Sequence, residues 1–175
     1  MTSTEPPAPG AGPAERPSRH VLVWYAETAR GREALQHAQS LAVAAGARLT
    51  VLAVVTRERT DIGCASCRRS AAIWNHEMEE VAHETLMAAA GALGRSASVA
   101  YETAVGSEAD AIATAAARGH ADVIVLPRRR PRRLVRGRKP GLDERLRDRG
   151  RWQVVITPPA TTSGGPAGPG DPSVP

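Results

Sequence analysis

The sequence has no phenylalanine, and aromatic residues make up only 3% of its 175 residues. It contains two cysteines, Cys64 and Cys67, which are too few for a disulfide framework and suit a reducing compartment. No apolar run approaches the ~18 residues that a membrane-spanning helix requires. The first 20 residues also lack the basic and then apolar pattern of a secretory signal. We therefore predict a soluble, cytoplasmic protein with no membrane partner.

The net charge of +5 comes from one segment of the chain. Between Arg128 and Lys139 there are seven arginines, one lysine and no acid, and we call residues 128–139 the Arg-rich loop. Removing these eight residues from the 23 basic ones leaves 15 against 18 acidic residues, a balance of −3. Because the positive charge is local, an anionic partner is expected at this loop and not over the whole surface.

The two ends of the chain differ in composition from its middle. Residues 1–18 and 158–175 are rich in Pro, Ala, Gly and Ser and contain little that could form a core. Such segments favour disorder. We predict two disordered tails around one domain, residues 19–157.

Within this domain, short apolar runs alternate with helical patterns. Strands are predicted at 20–26, 48–56, 97–104, 121–127 and 152–157, and helices at 30–46, 71–93, 107–120 and 141–150. Ser107 is the predicted N-cap of the third helix, with Asp110 as the capping-box acid. This alternation predicts an α/β fold with a five-stranded parallel sheet and helices on both faces.

A parallel sheet binds ligands at the carboxyl ends of its strands, where the strand order reverses. In the predicted order 3-2-1-4-5, the reversal lies between the first and fourth strands. The loops at that point are residues 26–28 and the Arg-rich loop. The sequence therefore places the Arg-rich loop at the expected ligand crevice.

Four stretches carry a resemblance to a known family: HVLVWYAET, ARLTVLAVVT, VGSEADAIATAAARGHADVIVLP and ERLRDRGRWQVVIT. Over about residues 19–157 the chain resembles the universal stress protein family, within the adenine-nucleotide α-hydrolase-like folds. The resemblance implies a stress-response or regulatory domain and a homodimer formed through the last strand.

Many members of that family bind ATP through the motif Gly-x2-Gly-x9-Gly-[Ser/Thr] after the fourth strand. In this chain the three glycine positions hold Pro127, Arg130 and Pro140, and the hydroxyl position holds Gly141. Proline offers no backbone N–H to a phosphate, and a bulky arginine stands where a glycine would let the backbone approach. The resemblance thus supports the fold but argues against the usual pose of ATP.

Arginine side chains could replace this backbone recognition, because guanidinium groups pair with phosphate and carboxylate. The family's aspartate after the first strand falls on Ala26, with Glu27 beside it. We take ATP, AMP or phosphate as candidate small anionic ligands. The candidate binding residues are Glu27, Arg128, Arg129, Arg130, Arg132, Arg133 and Gly141.

Two alternatives remain for the Arg-rich loop. It is a solvated loop without a ligand, or it contacts a macromolecular polyanion. The loop contains no aromatic residue on which bases could stack, so no dedicated nucleic-acid recognition is indicated.

Cys64 and Cys67 form a CxxC pair that is predicted on the loop after the second strand, with His76 on the following helix. The thiols are inert, redox-responsive or ligands of a zinc ion that would also need His76. The neighbouring Arg68 and Arg69 favour a thiolate. A lone CxxC is a weak signal for zinc, which makes zinc the least favoured of the three.

Catalytic motifs are scarce: the sequence has no Gly-x-Ser-x-Gly elbow, no Walker loop and no HExxH. The leading hypothesis is a non-catalytic regulatory domain. The alternative is a nucleotide- or phosphometabolite-handling enzyme with an altered phosphate loop. Trp24, Trp74 and Trp152 are predicted to pack in the core.

Overall fold

The computed structural model describes residues 19–59, 63–94, 99–129 and 140–158. The predicted alternation of strands and helices is confirmed over these ranges. The strands are β1 His20–Trp24, β2 Arg48–Val55, β3 Val99–Val105, β4 Val123–Leu126 and β5 Gln153–Ile156. The helices are α1 Ala29–Ala45, α2 Ala65–Leu93, α3 Glu108–Gly119 and α4 Leu142–Arg147. The predicted tails lie outside the described residues, apart from Pro158, and so does the Arg-rich loop beyond Arg129.

The strands form one parallel sheet in the order β3-β2-β1-β4-β5, which confirms the predicted topology. β1 lies at the centre, with β2 on one side and β4 on the other. Val23 of β1 is in register with Val125 of β4, so the two strands end side by side. The order of the strands reverses between them, and this places the crevice at their carboxyl ends.

The two faces of the sheet are covered by different helices because side chains alternate along each strand. Val21 and Val23 of β1 belong to a buried cluster with α1 and α2. Leu22 belongs to a second buried cluster with α3 and α4, and the half-buried Trp24 packs against it. The side chain at the end of β1 therefore faces the same side of the sheet as α3 and α4.

A buried histidine fixes the opposite, amino-terminal edge of the sheet. His20 is 4% exposed, and its Nδ1–H donates to the Gly119 carbonyl at 2.7 Å. Its Nε2 lies 2.8 Å from Oγ1 of Thr50, and the Arg48 guanidinium donates to the same Gly119 carbonyl at 2.9 Å. These contacts join β1, β2 and the end of α3, so the polar groups buried at this edge are satisfied within the fold.

The long helix α2 differs from its prediction in two respects. It begins at Ala65 and not at residue 71, so Cys64 is its N-cap and Cys67 lies in its first turn and not in a loop. Trp74 is 46% exposed and does not pack in the core as predicted. The buried residues of α2, from Ala71 to Leu93, form one stripe along the helix, and Trp74 lies to one side of it.

Candidate anion-binding site

The turn after β1 is tight, and α1 begins directly against it. Thr28 is the N-cap of α1, and its side chain accepts a hydrogen bond from the Gly31 N–H at 3.0 Å. The Thr28 N–H donates to the Ala26 carbonyl at 2.7 Å. A Cβ on Gly31 would lie 1.9 Å from the Ala26 oxygen, so only glycine allows the helix to approach this closely. Glu27 lies exposed in this turn.

At the end of β4 the chain passes through the buried Pro127 to two exposed arginines, Arg128 and Arg129. The Arg129 guanidinium lies over the ring of Trp24, with 5.1 Å between Cζ and the ring centroid. One of its terminal nitrogens is 2.5 Å from Oε2 of Glu108, the first residue of α3. The carboxyl ends of β1 and β4 and the start of α3 thus meet at one guanidinium group.

The ion pair at this point is exchangeable. The side chains of Arg129 and Glu108 are 52% and 36% exposed. Exposed ion pairs contribute roughly 0–1 kcal/mol, and an exposed cation–π contact contributes about 0.5–1 kcal/mol. A dissolved anion can therefore compete with Glu108 for the Arg129 guanidinium.

The start of α4 stands where the family resemblance implies the end of a phosphate-binding loop. Its N-cap, Gly141, donates its backbone N–H to Oε2 of Glu144 at 2.8 Å. Asp143 also lies in the first turn, and a Cβ on Gly141 would lie 2.5 Å from its Oδ1. These two carboxylates already occupy the region where a helix start favours negative charge. They would repel a phosphate from the backbone of α4.

A second polar cluster joins the first turn of α3 to the turn after α4. Ser107 is the N-cap of α3 as predicted, and it contacts the carboxylate of Asp110. Asp110 also accepts a hydrogen bond from Arg149. The Ser107 hydroxyl, and after it the Arg149 guanidinium, lower the pKa of Asp110 below its usual value.

The structure describes four of the seven predicted anion-binding residues. Glu27 follows β1, Arg128 and Arg129 follow β4, and Gly141 is the N-cap of α4. Arg130, Arg132 and Arg133 lie outside the described residues. Trp24 and Glu108 were not predicted from the sequence as partners of Arg129. Trp24 is the last residue of β1 and Glu108 is the first residue of α3, so the sequence places both near the end of β4. Whether they contact Arg129 depends on the directions of their side chains, which the sequence does not give.

The cysteine pair lies at the start of α2, away from His76. Sγ of Cys64 accepts from the Cys67 N–H at 3.2 Å. His76 is nine positions after Cys67 on the same helix, a distance of ~13 Å along the axis. Nε2 of His76 lies 3.5 Å from the Glu80 carboxylate. The structure does not bring His76 to the thiols, and among the residues it describes no group of three or more His, Cys, Asp and Glu could hold a metal.

These features define a Rossmann-like α/β domain, in which a ligand crevice is expected where the strand order reverses. A family model described as the Universal stress protein family matches residues 17–157. The chain belongs to the universal stress protein family. In the part that the structure describes, no helix is long and apolar enough to cross a membrane.

Solved structures of the same family have the same fold. A universal stress protein in complex with cAMP is 20% identical, with a TM-score of 0.56, over 79% of this chain and 95% of that one. A universal stress protein family member from Burkholderia pseudomallei is 24% identical, with a TM-score of 0.56, over 78% and 93%. UspA from Lactobacillus plantarum is 17% identical, with a TM-score of 0.60, over 80% and 97%. A search of curated proteins found no match.

Proposed function

We propose that this chain is a non-catalytic stress-response or regulatory domain whose crevice binds a small anion through arginine side chains. The observation that carries the proposal is the pairing of Arg129 with the Glu108 carboxylate over the ring of Trp24. This guanidinium is paired with an oxyanion and follows β4, which is the neighbour of β1 where the strand order reverses. Arg128 precedes it, and further arginines follow in the sequence.

The start of α4 supports the same proposal. A triphosphate bound by a backbone loop needs free N–H groups and a helix start without negative charge. Here the Gly141 N–H is taken by Glu144, and Asp143 adds a second carboxylate. Side-chain recognition by arginine does not depend on these groups.

The proposed ligand carries a phosphate group, and inorganic phosphate and AMP are the first candidates. One universal stress protein of the same fold has been solved in complex with cAMP, a nucleotide with a single phosphate. A single phosphate can pair with the guanidinium groups of Arg128 and Arg129 without using the start of α4. ATP remains a candidate in an altered pose, in which its phosphates contact arginine side chains.

The test is the melting temperature of the full chain with increasing phosphate or AMP at fixed ionic strength. A ligand at 100 times its Kd stabilises the folded state by about 2.7 kcal/mol, so we expect a rise of several degrees. Replacing Arg128, Arg129 and Arg130 with Ala removes the rise. Glu108→Gln increases the response at low phosphate, because the substitution releases Arg129 from its internal partner.

The control for charge replaces three other arginines, Arg19, Arg69 and Arg151, with Ala. This variant loses the same positive charge away from the crevice, so it should respond to phosphate like the unmodified chain. An equal loss of response in both triple variants would show nonspecific attraction. No response to phosphate or AMP in the unmodified chain would contradict the proposal.

The non-catalytic part of the proposal is tested by incubating the chain with ATP and measuring AMP, ADP and pyrophosphate. We expect no turnover above that of a heat-denatured sample. Turnover that depends on the crevice arginines would instead support a nucleotide- or phosphometabolite-handling enzyme.

We also propose that two copies associate through β5, as the family resemblance implies. β5 is hydrogen-bonded to β4 on one side and is the last strand of the sheet. Its Ile156 is 42% exposed. An apolar edge strand with unpaired backbone groups favours pairing with a second chain.

A further inference from the structure

The start of α2 presents two thiols to solvent on one helical turn. Cys64 is the N-cap and Cys67 the third helical residue, and both are free and exposed. Residues three apart at a helix start are neighbours on the same face. Cys64 lies outside the helical backbone, with φ −72° and ψ 166°, so it can adjust toward Cys67 without unwinding α2.

The surroundings of Cys64 stabilise a negative sulfur. Its Sγ accepts from the Cys67 N–H at 3.2 Å and lies 3.0 Å from the Ser66 hydroxyl oxygen. The side chain of Cys67, and after it that of Ser66, lower the pKa of Cys64 to about 7. Because the helix start also favours negative charge, the thiolate of Cys64 is well populated at neutral pH.

Cys67 is well placed to act as the second thiol. Gly63 has φ +95°, and a Cβ at this position would lie 3.2 Å from the Cβ of Cys67. The glycine therefore leaves space beside the Cys67 side chain. The guanidinium of Arg68 donates to the Gly63 carbonyl at 3.1 Å, which holds a positive group next to the pair.

We propose that Cys64 and Cys67 are a reversible dithiol–disulfide pair that exchanges with low-molecular-weight disulfides, with Cys64 as the attacking sulfur. The Cys64 thiolate attacks one sulfur of the small disulfide; a mixed disulfide forms, and the first small thiolate leaves. Cys67 loses its proton and attacks Sγ of Cys64, forming the Cys64–Cys67 bond and releasing the second small thiolate. The two protons lost by the cysteines end on the two small thiols. Two protein thiols are oxidised and one small disulfide is reduced.

This chemistry suits the pair better than metal binding does. A structural zinc site needs four ligands, and the described residues place no third His, Cys, Asp or Glu beside the thiols. Exchange needs only an accessible thiolate whose pKa is near the ambient pH and a second thiol within reach. The pair is also independent of the crevice arginines, so the anion-binding proposal and this one can fail separately.

The experiment equilibrates the full chain in buffers of reduced and oxidised glutathione at pH 7 and measures intact mass and alkylatable thiols. Under oxidising ratios we expect a mass lower by two hydrogens, loss of both thiols and no covalent dimer. Excess reduced glutathione restores both thiols. Cys67→Ser, whose hydroxyl still donates to Cys64, stops at a single glutathione adduct.

The rate of reaction with oxidised glutathione identifies the attacking sulfur. In Cys67→Ser, the reaction of Cys64 with oxidised glutathione is half-maximal near pH 7. At pH 7 it is about threefold faster than that of a free cysteine derivative, since a larger thiolate fraction outweighs a lower nucleophilicity. The proposal is wrong if oxidised chains carry glutathione on both cysteines or join between chains. It is equally wrong if both thiols persist in oxidised glutathione, or if the reduced chain holds stoichiometric zinc that blocks exchange.

Discussion

At the scale of single residues, the proposed anion site is defined by the two side chains that contact Arg129. Trp24 offers the face of an indole ring, and Glu108 offers a carboxylate from the first turn of α3. Neither contact is strong, because all three side chains remain partly exposed. A guanidinium held by weak contacts can exchange its internal partner for a dissolved anion, as the proposed anion site requires.

Gly31 is the residue on which the geometry of the β1 turn depends most. In Gly31→Ala the new Cβ would lie 1.9 Å from the Ala26 oxygen, a backbone atom that cannot move alone. Overpacking of this kind costs about 1–3 kcal/mol. We expect Gly31→Ala to lower the free energy of unfolding, measured by urea denaturation, by about 1–3 kcal/mol or more.

Gly91→Ala is the matched control. Gly91 lies exposed inside α2, and a Cβ there would meet nothing within 4 Å. Alanine in a helix interior is more stable than glycine by about 0.5–1 kcal/mol, so this variant should unfold at higher urea. If Gly31→Ala and Gly91→Ala changed the free energy of unfolding by the same amount, the close packing of α1 on the β1 turn would be refuted.

At the scale of elements, the order and type of the helices and strands that the structure describes followed from the sequence. Apolar runs such as VIVL and VVI are strands of the parallel sheet, and Gly46 ends α1 with φ +60°. Ser107 was identified as an N-cap because a short hydroxyl side chain commonly starts a helix. These are local signals, and they do not depend on tertiary contacts.

The start of α2 and the environment of Trp74 could not be predicted in the same way. Residues 65–70 contain no glycine or proline and are compatible with a helix, but they carry little apolar periodicity to reveal one. Trp74 sits on the flank of the buried stripe of α2. Whether a flanking residue is covered depends on what packs beside it, and this is a property of the assembled fold.

The contact between α3 and α4 should weaken in acid. The pKa of Asp110 is lowered by Ser107 and Arg149. A carboxyl group with a lowered folded pKa stabilises the fold above its unfolded pKa, about 3.9, and this contribution is lost as the pH falls through the folded value. We expect Asp110→Asn to melt below the unmodified chain at pH 7, with a difference that vanishes below the lowered pKa.

Glu77→Gln, which removes an exposed carboxylate on α2, is the control for a general change in charge. The difference in melting temperature between Glu77→Gln and the unmodified chain should not show the pH dependence expected for Asp110→Asn. A difference for Asp110→Asn that stays constant down to pH 2 would contradict the assigned role of Asp110.

At the scale of the whole molecule, the sheet has two edges that differ in their proposed role. The N–H groups of Gln153 and Thr157 point toward β4, donating to Asp122 and Leu126 at 2.8 and 3.0 Å. By alternation, the N–H of Ile156 points to the open edge. Ile156→Pro removes this donor without breaking a hydrogen bond to β4, so we expect it to convert a dimer to a monomer in sedimentation experiments.

Val105→Pro on β3 is the matched control at the other edge of the sheet. The Gly106 N–H donates to Val55 of β2 at 3.0 Å, so the N–H of Val105 points outward, and its side chain is 48% exposed. This variant should remain a dimer. A monomeric unmodified chain at micromolar concentration would contradict the proposed dimer, and so would a dimeric Ile156→Pro variant.

The central claim is that the crevice recognises an anion through arginine side chains and not a nucleotide through a backbone loop. Its most direct test is calorimetric titration of the full chain with ATP and with inorganic triphosphate at the same ionic strength. We predict that the two bind within a few-fold of each other, and that replacing Arg128, Arg129 and Arg130 with Ala abolishes both. ATP that binds at least tenfold more tightly than triphosphate, and that still binds after the arginines are replaced, would contradict the claim.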